Sequence, residues 1–227
     1  MKWRSLEESA PGTDLRSLRE IFAERKALIA QYVPEAARTV HARVISDLKA
    51  QALAENALAP GAQAPLFSLS DQNGKAVSSA DLLSRGPLVV CFLRGRWDPF
   101  CCGQMEAMNA VLPEIQAAGA ALIAISPQTV KQSFFMTDQH ELRFPLLSDS
   151  GNGVAKQFGL VYRVPDEQKS IFQRAFVNLP LANGDESWEL PIPATYIIGQ
   201  DGKVLARWAD EDYTERPEPE AILEKLK

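Results

Sequence analysis

The chain has 227 residues, of which 46% are hydrophobic and 23% charged, with a formal net charge of −5 at pH 7. That length and apolar content support one full-sized core, or one domain with an appendage. The acidic balance argues against a nucleic-acid surface, which needs clustered Lys and Arg, and no apolar run approaches the ~20 residues that span a bilayer.

Residues 1–13 are polar and end in Ala10-Pro11-Gly12, the pattern of a flexible tail. The opening Met1-Lys2-Trp3-Arg4 is charged rather than apolar, so no secretion signal is expected and a cytoplasmic location is. From Leu15, apolar residues recur at helical spacing through Leu18, Ile21, Phe22, Leu28 and Ile29. Pro34 stops that helix and suits the first turn of a second, which runs through Val40, Val44, Ile45 and Leu48 to about Leu53. The pair is expected as a helical extension, residues 14–58, that pads the core or a dimer contact. Ala59-Pro60-Gly61 marks the boundary to the main domain, 59–227.

The pattern then changes. Phe67 and Leu69 alternate with Ser68 and Ser70, and Asp71-Gln72-Asn73-Gly74-Lys75 predicts a hairpin turn. Leu88 to Leu93 is a strand, followed by a turn and a helix that Pro113 should kink and Gly119 close. The unbroken apolar run Ala120 to Ser126 reads as a strand covered on both faces. Pro127 opens a helix through Phe134 and Phe135, Phe144 to Asp149 returns as a strand, and Gly153 to Phe158 is a short helix. Residues 163–190 are polar and read as an irregular insertion packed against the sheet, near the site. Ala194 to Ile198 is a strand, Gly199-Gln200-Asp201-Gly202 turns it, and Val204 to Trp208 returns antiparallel. A last helix begins near Pro219. This order gives a central mixed sheet with helices on both faces.

The chemistry gathers in one turn, Leu93-Arg94-Gly95-Arg96-Trp97-Asp98-Pro99-Phe100-Cys101-Cys102-Gly103. A strand delivers the chain to a loop, and the loop places two thiols at the start of a helix. A helix N-terminus carries unpaired N–H groups and partial positive charge, which favour the nucleophilic thiolate. A redox site on Cys101 is therefore expected. The third cysteine, Cys91, lies inside the strand and reads as a small buried hydrophobe. Three cysteines make a poor disulfide framework, and the two histidines, His41 and His140, lie far apart, so neither a metal nor another cofactor is expected.

Several segments carry a resemblance in the right order: Gly61-x-x-Ala64-Pro65-x-Phe67-x-Leu69, Phe92 to Trp97 with Pro99-Phe100-Cys101, Ala124 to Pro127, Phe144 to Asp149, Leu190 to Tyr196, and Asp212-Tyr213-Thr214-x-Arg216-x-Glu218-Pro219. They resemble the thioredoxin-fold peroxiredoxins of the alkyl hydroperoxide reductase and thiol-specific antioxidant (AhpC/TSA) group. Within it, the chain is similar to bacterial members whose site reads Arg-Gly-x-Trp-Cys-Pro-Tyr-Cys. The resemblance implies an α/β, thioredoxin-like three-layer fold preceded by the helical hairpin. It implies a thiol-dependent peroxidase that reduces hydrogen peroxide or organic hydroperoxides through Cys101. The reductant is expected to be an external thiol, thioredoxin or a low-molecular-weight thiol, and the assembly a homodimer.

The departures from the family pattern define the open questions. Asp98 stands where the relatives place the first Cys of Cys-x-x-Cys, or the Thr or Ser of typical peroxiredoxins. Ionised, it would raise the Cys101 pKa; as a cap, it would serve the helix three residues on. Pro193 stands where typical peroxiredoxins place an Arg, and is expected to be cis and to lie against the turn. Arg94 or Arg96 is the candidate for the missing positive charge. Cys102 is a candidate resolving thiol, although a disulfide between adjacent residues is strained. Trp97, Pro99 and Phe100 are expected to shape and shield the site. Two alternatives stay open: a thiol–disulfide oxidoreductase, and a scaffold that keeps the fold without the chemistry.

Overall fold

The computed structural model describes residues 16–227, so the expected tail over 1–13 lies outside them. Two helices come first, α1 (Leu18–Tyr32) and α2 (Glu35–Ala50). Ser17 starts α1 with a capping box: its hydroxyl accepts from the Glu20 N–H, and the Glu20 carboxylate accepts from the Ser17 N–H at 2.9 Å. The N–H groups of Leu18 and Arg19 donate to Glu218, near the other end of the chain, at 3.0 and 2.8 Å. The second helix ends earlier than its apolar spacing predicts, because Ala52 takes a left-handed conformation and a separate turn, α3 (Leu53–Asn56), follows.

A hairpin of β1 (Ser68–Ser70) and β2 (Ala76–Ser78) turns on Asp71, whose carboxylate accepts from the N–H groups of Asn73 and Lys75. Then come α4 (Ser79–Leu83) and β3 (Leu88–Phe92), a strand with every residue buried. The helix beyond the thiol turn is split into α5 (Pro99–Ala110) and α6 (Leu112–Ala117) at Val111, one residue before Leu112-Pro113. The kink expected at Pro113 is thus a break. Next are β4 (Ala121–Ser126) and α7 (Val130–Gln139), the latter begun by the Thr129 hydroxyl accepting from Gln132 rather than by Pro127. The order continues with β5 (Leu146–Ser148) and α8 (Gly153–Gln157).

The expected irregular insertion is ordered. It holds β6 (Val161–Arg163), α9 (Asp166–Arg174), α10 (Leu179–Asn183) and β7 (Glu189–Pro191), with β6 and β7 paired antiparallel. Only Gln168 and Phe172 of α9 are buried, so its sequence looks polar while one stripe still packs. That stripe meets α2 and the thiol turn: Phe172 lies 5.1 Å from Trp97 and 5.9 Å from His41, ring centre to ring centre. The chain closes with the antiparallel pair β8 (Ala194–Ile198) and β9 (Val204–Ala209) and with α11 (Pro219–Lys225).

The main sheet has the order β2-β1-β5-β4-β3-β8-β9. Strands β3, β4 and β5 are parallel and the other pairings antiparallel. Both faces are covered. Val90, Phe92, Ile123 and Ile125 pack into one core, and Val89, Cys91, Leu122 and Ala124 pack into another with Met105 and Met108 of α5. This two-sided burial is why these strands read as unbroken apolar runs. Residue 93 leaves the central strand at its C-terminal end, where parallel sheets place their functional loops.

The helical hairpin does more than pad a core. Leu18 and Phe22 of α1 cluster with Phe100, and the Phe22 and Phe100 rings meet edge to face at 5.0 Å and 78°. Replacing Phe22 with Ala should cost about 3 kcal/mol, the low end for a buried aromatic, read as a lower urea midpoint.

Candidate active site

The turn from β3 to α5 is tight. Gly95 takes φ +141°, and a Cβ there would sit 2.8 Å from the Trp97 indole nitrogen. Asp98 is the N-cap of α5 and Pro99 follows at the first helical position, where its missing N–H leaves nothing unpaired. One Asp98 oxygen, Oδ1, accepts from the Phe100 N–H at 2.9 Å. The cap therefore reaches two residues on rather than the expected three.

The other oxygen, Oδ2, lies 3.3 Å from Cys101 Sγ and accepts from the thiol. The same oxygen is 3.4 Å from Arg94 Nη1 and 3.9 Å from Arg216 Nη2. Cys101 Sγ in turn accepts from the Arg94 backbone N–H and from Arg216 Nη2, each at 3.4 Å. One carboxylate, one thiol and two guanidinium groups thus form a single cluster. It is sealed: Cys101 is 0% exposed, Arg94 and Asp98 1% each, and the Arg216 side chain 2%.

Side chains from distant elements hold these groups. The Arg94 guanidinium lies between two rings, 4.7 Å from Trp97 and 4.1 Å from Tyr213. Arg216 Nε donates to Gln104 Oε1 at 2.9 Å, Gln104 Nε2 donates to Thr195 Oγ1 at 3.0 Å, and Arg216 Nη1 donates to the Tyr213 carbonyl. Gln104 and Thr195 are themselves buried, so the orientation of Arg216 is fixed from below.

The electrostatics reverse one expectation. The Cys101 thiol is pushed up to about 11, first by burial and then by the Asp98 charge, against the opposing pull of Arg216, the Arg94 N–H and the Arg94 charge. The helix terminus does not hold the sulfur ionised, because burial outweighs it and Asp98, at the capping position, adds a negative charge beside the sulfur. Cys91 is pushed up to about 12 by burial, and Cys102 is also raised by burial. His41 is lowered to about 4, chiefly by burial and then by Arg94.

The remaining expected residues fall into place unevenly. The Arg96 guanidinium turns away to Gln132 at 3.0 Å and lies over the Phe135 ring at 5.7 Å, so Arg216, not Arg96, joins Arg94 at the thiol. Cys102 Sγ donates to the Arg96 carbonyl at 3.3 Å, and all three cysteines are free. Phe100 is buried beneath Phe22, Trp97 is half-buried against Phe172, and exposed Pro99 receives Arg25 Nη1 at its carbonyl. Pro193 is not cis, since no cis peptide occurs among the described residues. With Thr195, Arg216 and Pro217 it lines a hollow of about 360 Å³. Residues Tyr213, Gln104 and Thr195 had no role from sequence, and neither did Arg216. The available signal is that Thr195, Tyr213 and Arg216 belong to segments of the family pattern, whereas Gln104 belongs to none. Among the described residues, no three His, Cys, Asp or Glu side chains gather as metal ligands, and no helix is long and apolar enough to cross a membrane.

Comparisons with known proteins bear on this geometry. A family model described as "AhpC/TSA family" matches residues 60–207. Putative peroxiredoxin Q, chloroplastic, from Oryza sativa subsp. indica is 37% identical over 100 residues, 44% of this chain and 46% of that protein. Putative peroxiredoxin bcp from Haemophilus influenzae is 33% identical over 105 residues, 46% of this chain and 67% of that protein. The chain thus spans about half the length of the first of these relatives. The crystal structure of peroxidoxin BcpB from Mycobacterium tuberculosis shares the fold with a TM-score of 0.59 at 23% identity, covering 74% of this chain and 96% of that one.

The upward shift of Cys101 fixes how its reactivity depends on pH. Iodoacetamide, which needs the thiolate, should alkylate Cys101 slowly at neutral pH and faster as pH climbs toward about 11, read by mass spectrometry of the labelled peptide. Asp98→Asn keeps a capping side chain and removes the charge, so the alkylation profile should move to lower pH.

Proposed function

The chain belongs to the AhpC/TSA family, and on that premise we propose that it is a thiol-dependent peroxidase whose attacking sulfur is Cys101. The observation that carries this reading is one sulfur in contact with both a carboxylate, at 3.3 Å, and a guanidinium, at 3.4 Å. Each of the three has work to do on a peroxide. The sulfur attacks one peroxide oxygen, the guanidinium stabilises negative charge as the O–O bond lengthens, and the carboxylate handles the proton.

The step balances as follows. Asp98 accepts the thiol proton while the S–O bond forms and the O–O bond breaks. Cys101 becomes a sulfenic acid, and the leaving alkoxide, or hydroxide, takes the proton from Asp98 to depart as an alcohol or water. Two external thiols complete the cycle. The first condenses with the sulfenic acid to a mixed disulfide and releases water; the second attacks that disulfide and returns the Cys101 thiol. An external thiol is favoured over Cys102, whose Sγ is engaged with the Arg96 carbonyl and which is raised by burial.

Asp98 then has two opposed effects. Its charge suppresses the free thiolate, and its position supplies a base at the moment of attack. A buried, protonated thiol is safe from casual oxidation and reactive only toward a substrate that reaches Asp98 and Arg216 together. One observation favours a competing reading: Cys101 is fully buried, and a seal that never parted would leave a scaffold without turnover.

Kinetics separate the two. Hydrogen peroxide should oxidise Cys101 far faster than free cysteine, with the sulfenic acid trapped by dimedone and absent in Cys101→Ser. An unaccelerated rate would favour the scaffold. Asp98→Asn should speed alkylation yet slow peroxide reduction about a hundredfold, the scale of a lost general base. Arg216→Met should lower kcat/KM about a hundredfold, as removal of a donor at a developing anion does.

A further inference from the structure

His41 of α2 faces the same cavity as the thiol turn. That cavity has a volume of about 420 Å³, and His41 lines it together with Arg94, Trp97, Asp98, Phe100 and Tyr213. The imidazole stands against two other rings, 5.9 Å from Phe172 and 6.1 Å from Tyr213, centre to centre. The Tyr213 ring in turn lies 4.1 Å from the Arg94 guanidinium.

The hydrogen bonding of the imidazole decides what it can do. Its Nδ1 lies 2.9 Å from Gln168 Nε2. An amide nitrogen only donates, so Nδ1 accepts and the ring proton sits on Nε2. Gln168 is 2% exposed, so the bond is shielded from water. The ring is also neutral above about pH 4, held there by burial and then by the Arg94 charge, against the opposing pull of Asp98. The other charged groups on the cavity wall are engaged elsewhere. Lys26 pairs with Glu215, Arg38 donates to the Val33 carbonyl, and Asp212 accepts from the Thr214 N–H and hydroxyl. Among the described residues, Nε2 has no hydrogen-bond partner. A neutral imidazole with its Nδ1 lone pair occupied is no base. It is a donor, and such a donor polarises an oxygen without giving up its proton.

We propose that His41 is a further catalytic residue of the peroxide reaction, donating from Nε2 to the leaving oxygen as the O–O bond breaks. The inference rests on the peroxidase reading. In-line attack places the leaving oxygen on the side of the reacting oxygen away from the sulfur. Asp98 touches the sulfur and lines the cavity, whereas Cys101 does not line it, so that side is the cavity side. There the Nε2–H meets the negative charge that develops on the leaving oxygen, while Arg216 stays at the sulfur. His41 passes on no proton: the leaving oxygen takes one from Asp98, and Cys101 becomes the sulfenic acid. His41 lies outside the span 60–207 that matches the family model, so this donor belongs to the hairpin.

Two readouts test it, one of them independent of turnover. The chain has two histidines, so nitrogen-15 NMR of histidine-labelled protein assigns His41 by comparison with His41→Phe. The His41 ring should carry its proton on Nε2 and stay neutral down to about pH 5. His41→Phe keeps a ring and loses the donor, and should lower kcat/KM for hydrogen peroxide about a hundredfold. His41→Gln places an amide N–H near the site of Nε2 and should recover about tenfold of that loss. Both variants should leave the rate of Cys101 alkylation by iodoacetamide unchanged; faster alkylation would make the ring part of the seal and overturn the donor role. A proton on Nδ1, a titration between about pH 6 and 7, or equal losses in the two variants would overturn it as well. A fast wild type matched by His41→Phe removes this inference alone, whereas a wild type that does not accelerate peroxide reduction sinks the peroxidase reading and the inference with it.

Discussion

Everything at this site depends on burying Asp98 between two arginines. A carboxylate taken out of water is expensive, and so is a guanidinium; each is tolerable here only because the other is present. Asp98 spends one oxygen on the first turn of α5 and the other on Arg94, Arg216 and the thiol. The same side chain therefore starts the helix, faces both arginines and touches the sulfur. A Thr or Ser in this place would cap the helix and leave two buried cations uncompensated.

The rest of the fold is arranged so that this cluster cannot relax. Arg94 is clamped between the Trp97 and Tyr213 rings, and Arg216 is held through Gln104 and Thr195 to the central sheet. The Thr195 hydroxyl also reaches Cys91 Sγ at 3.8 Å, which ties the strand cysteine into the same polar chain. The lid comes from the other end of the sequence. Glu218 caps α1 by accepting from Leu18 and Arg19, and α1 sets Phe22 on Phe100. A segment of the C-terminal loop thus anchors the N-terminal helix two residues after it has supplied Arg216. Loss of either end would loosen both the seal and the guanidinium.

This arrangement explains how a sulfur raised to about 11 can belong to a peroxidase-family protein. Burial and the neighbouring Asp98 charge hold the thiol protonated, and that one carboxylate faces two guanidinium groups. In the proposed reaction the sulfur, the carboxylate and the Arg216 guanidinium are already in contact, and α1 covers Phe100 beside them. Elements built on a satellite cluster, as α1 is, open at lower free energy than the central strands.

The sequence by itself determined the order of the main-sheet strands, the mixed sheet, the turn after Phe92 and the placing of Cys101 in the first turn of α5. It did so because two-sided burial writes unbroken apolar runs, and because Asp-Pro at a helix start has a local meaning. It also offered a cap as one of two roles for Asp98, a contact made within three residues. Tertiary structure alone decided the rest. Arg216 lies 115 positions from Cys101 and reaches it only through the folding of the C-terminal loop. The helices of the insertion were hidden because only one stripe of each is buried. The protonation of Cys101 is a sum of desolvation and competing charges over several ångströms, and no reading of neighbouring letters contains that sum.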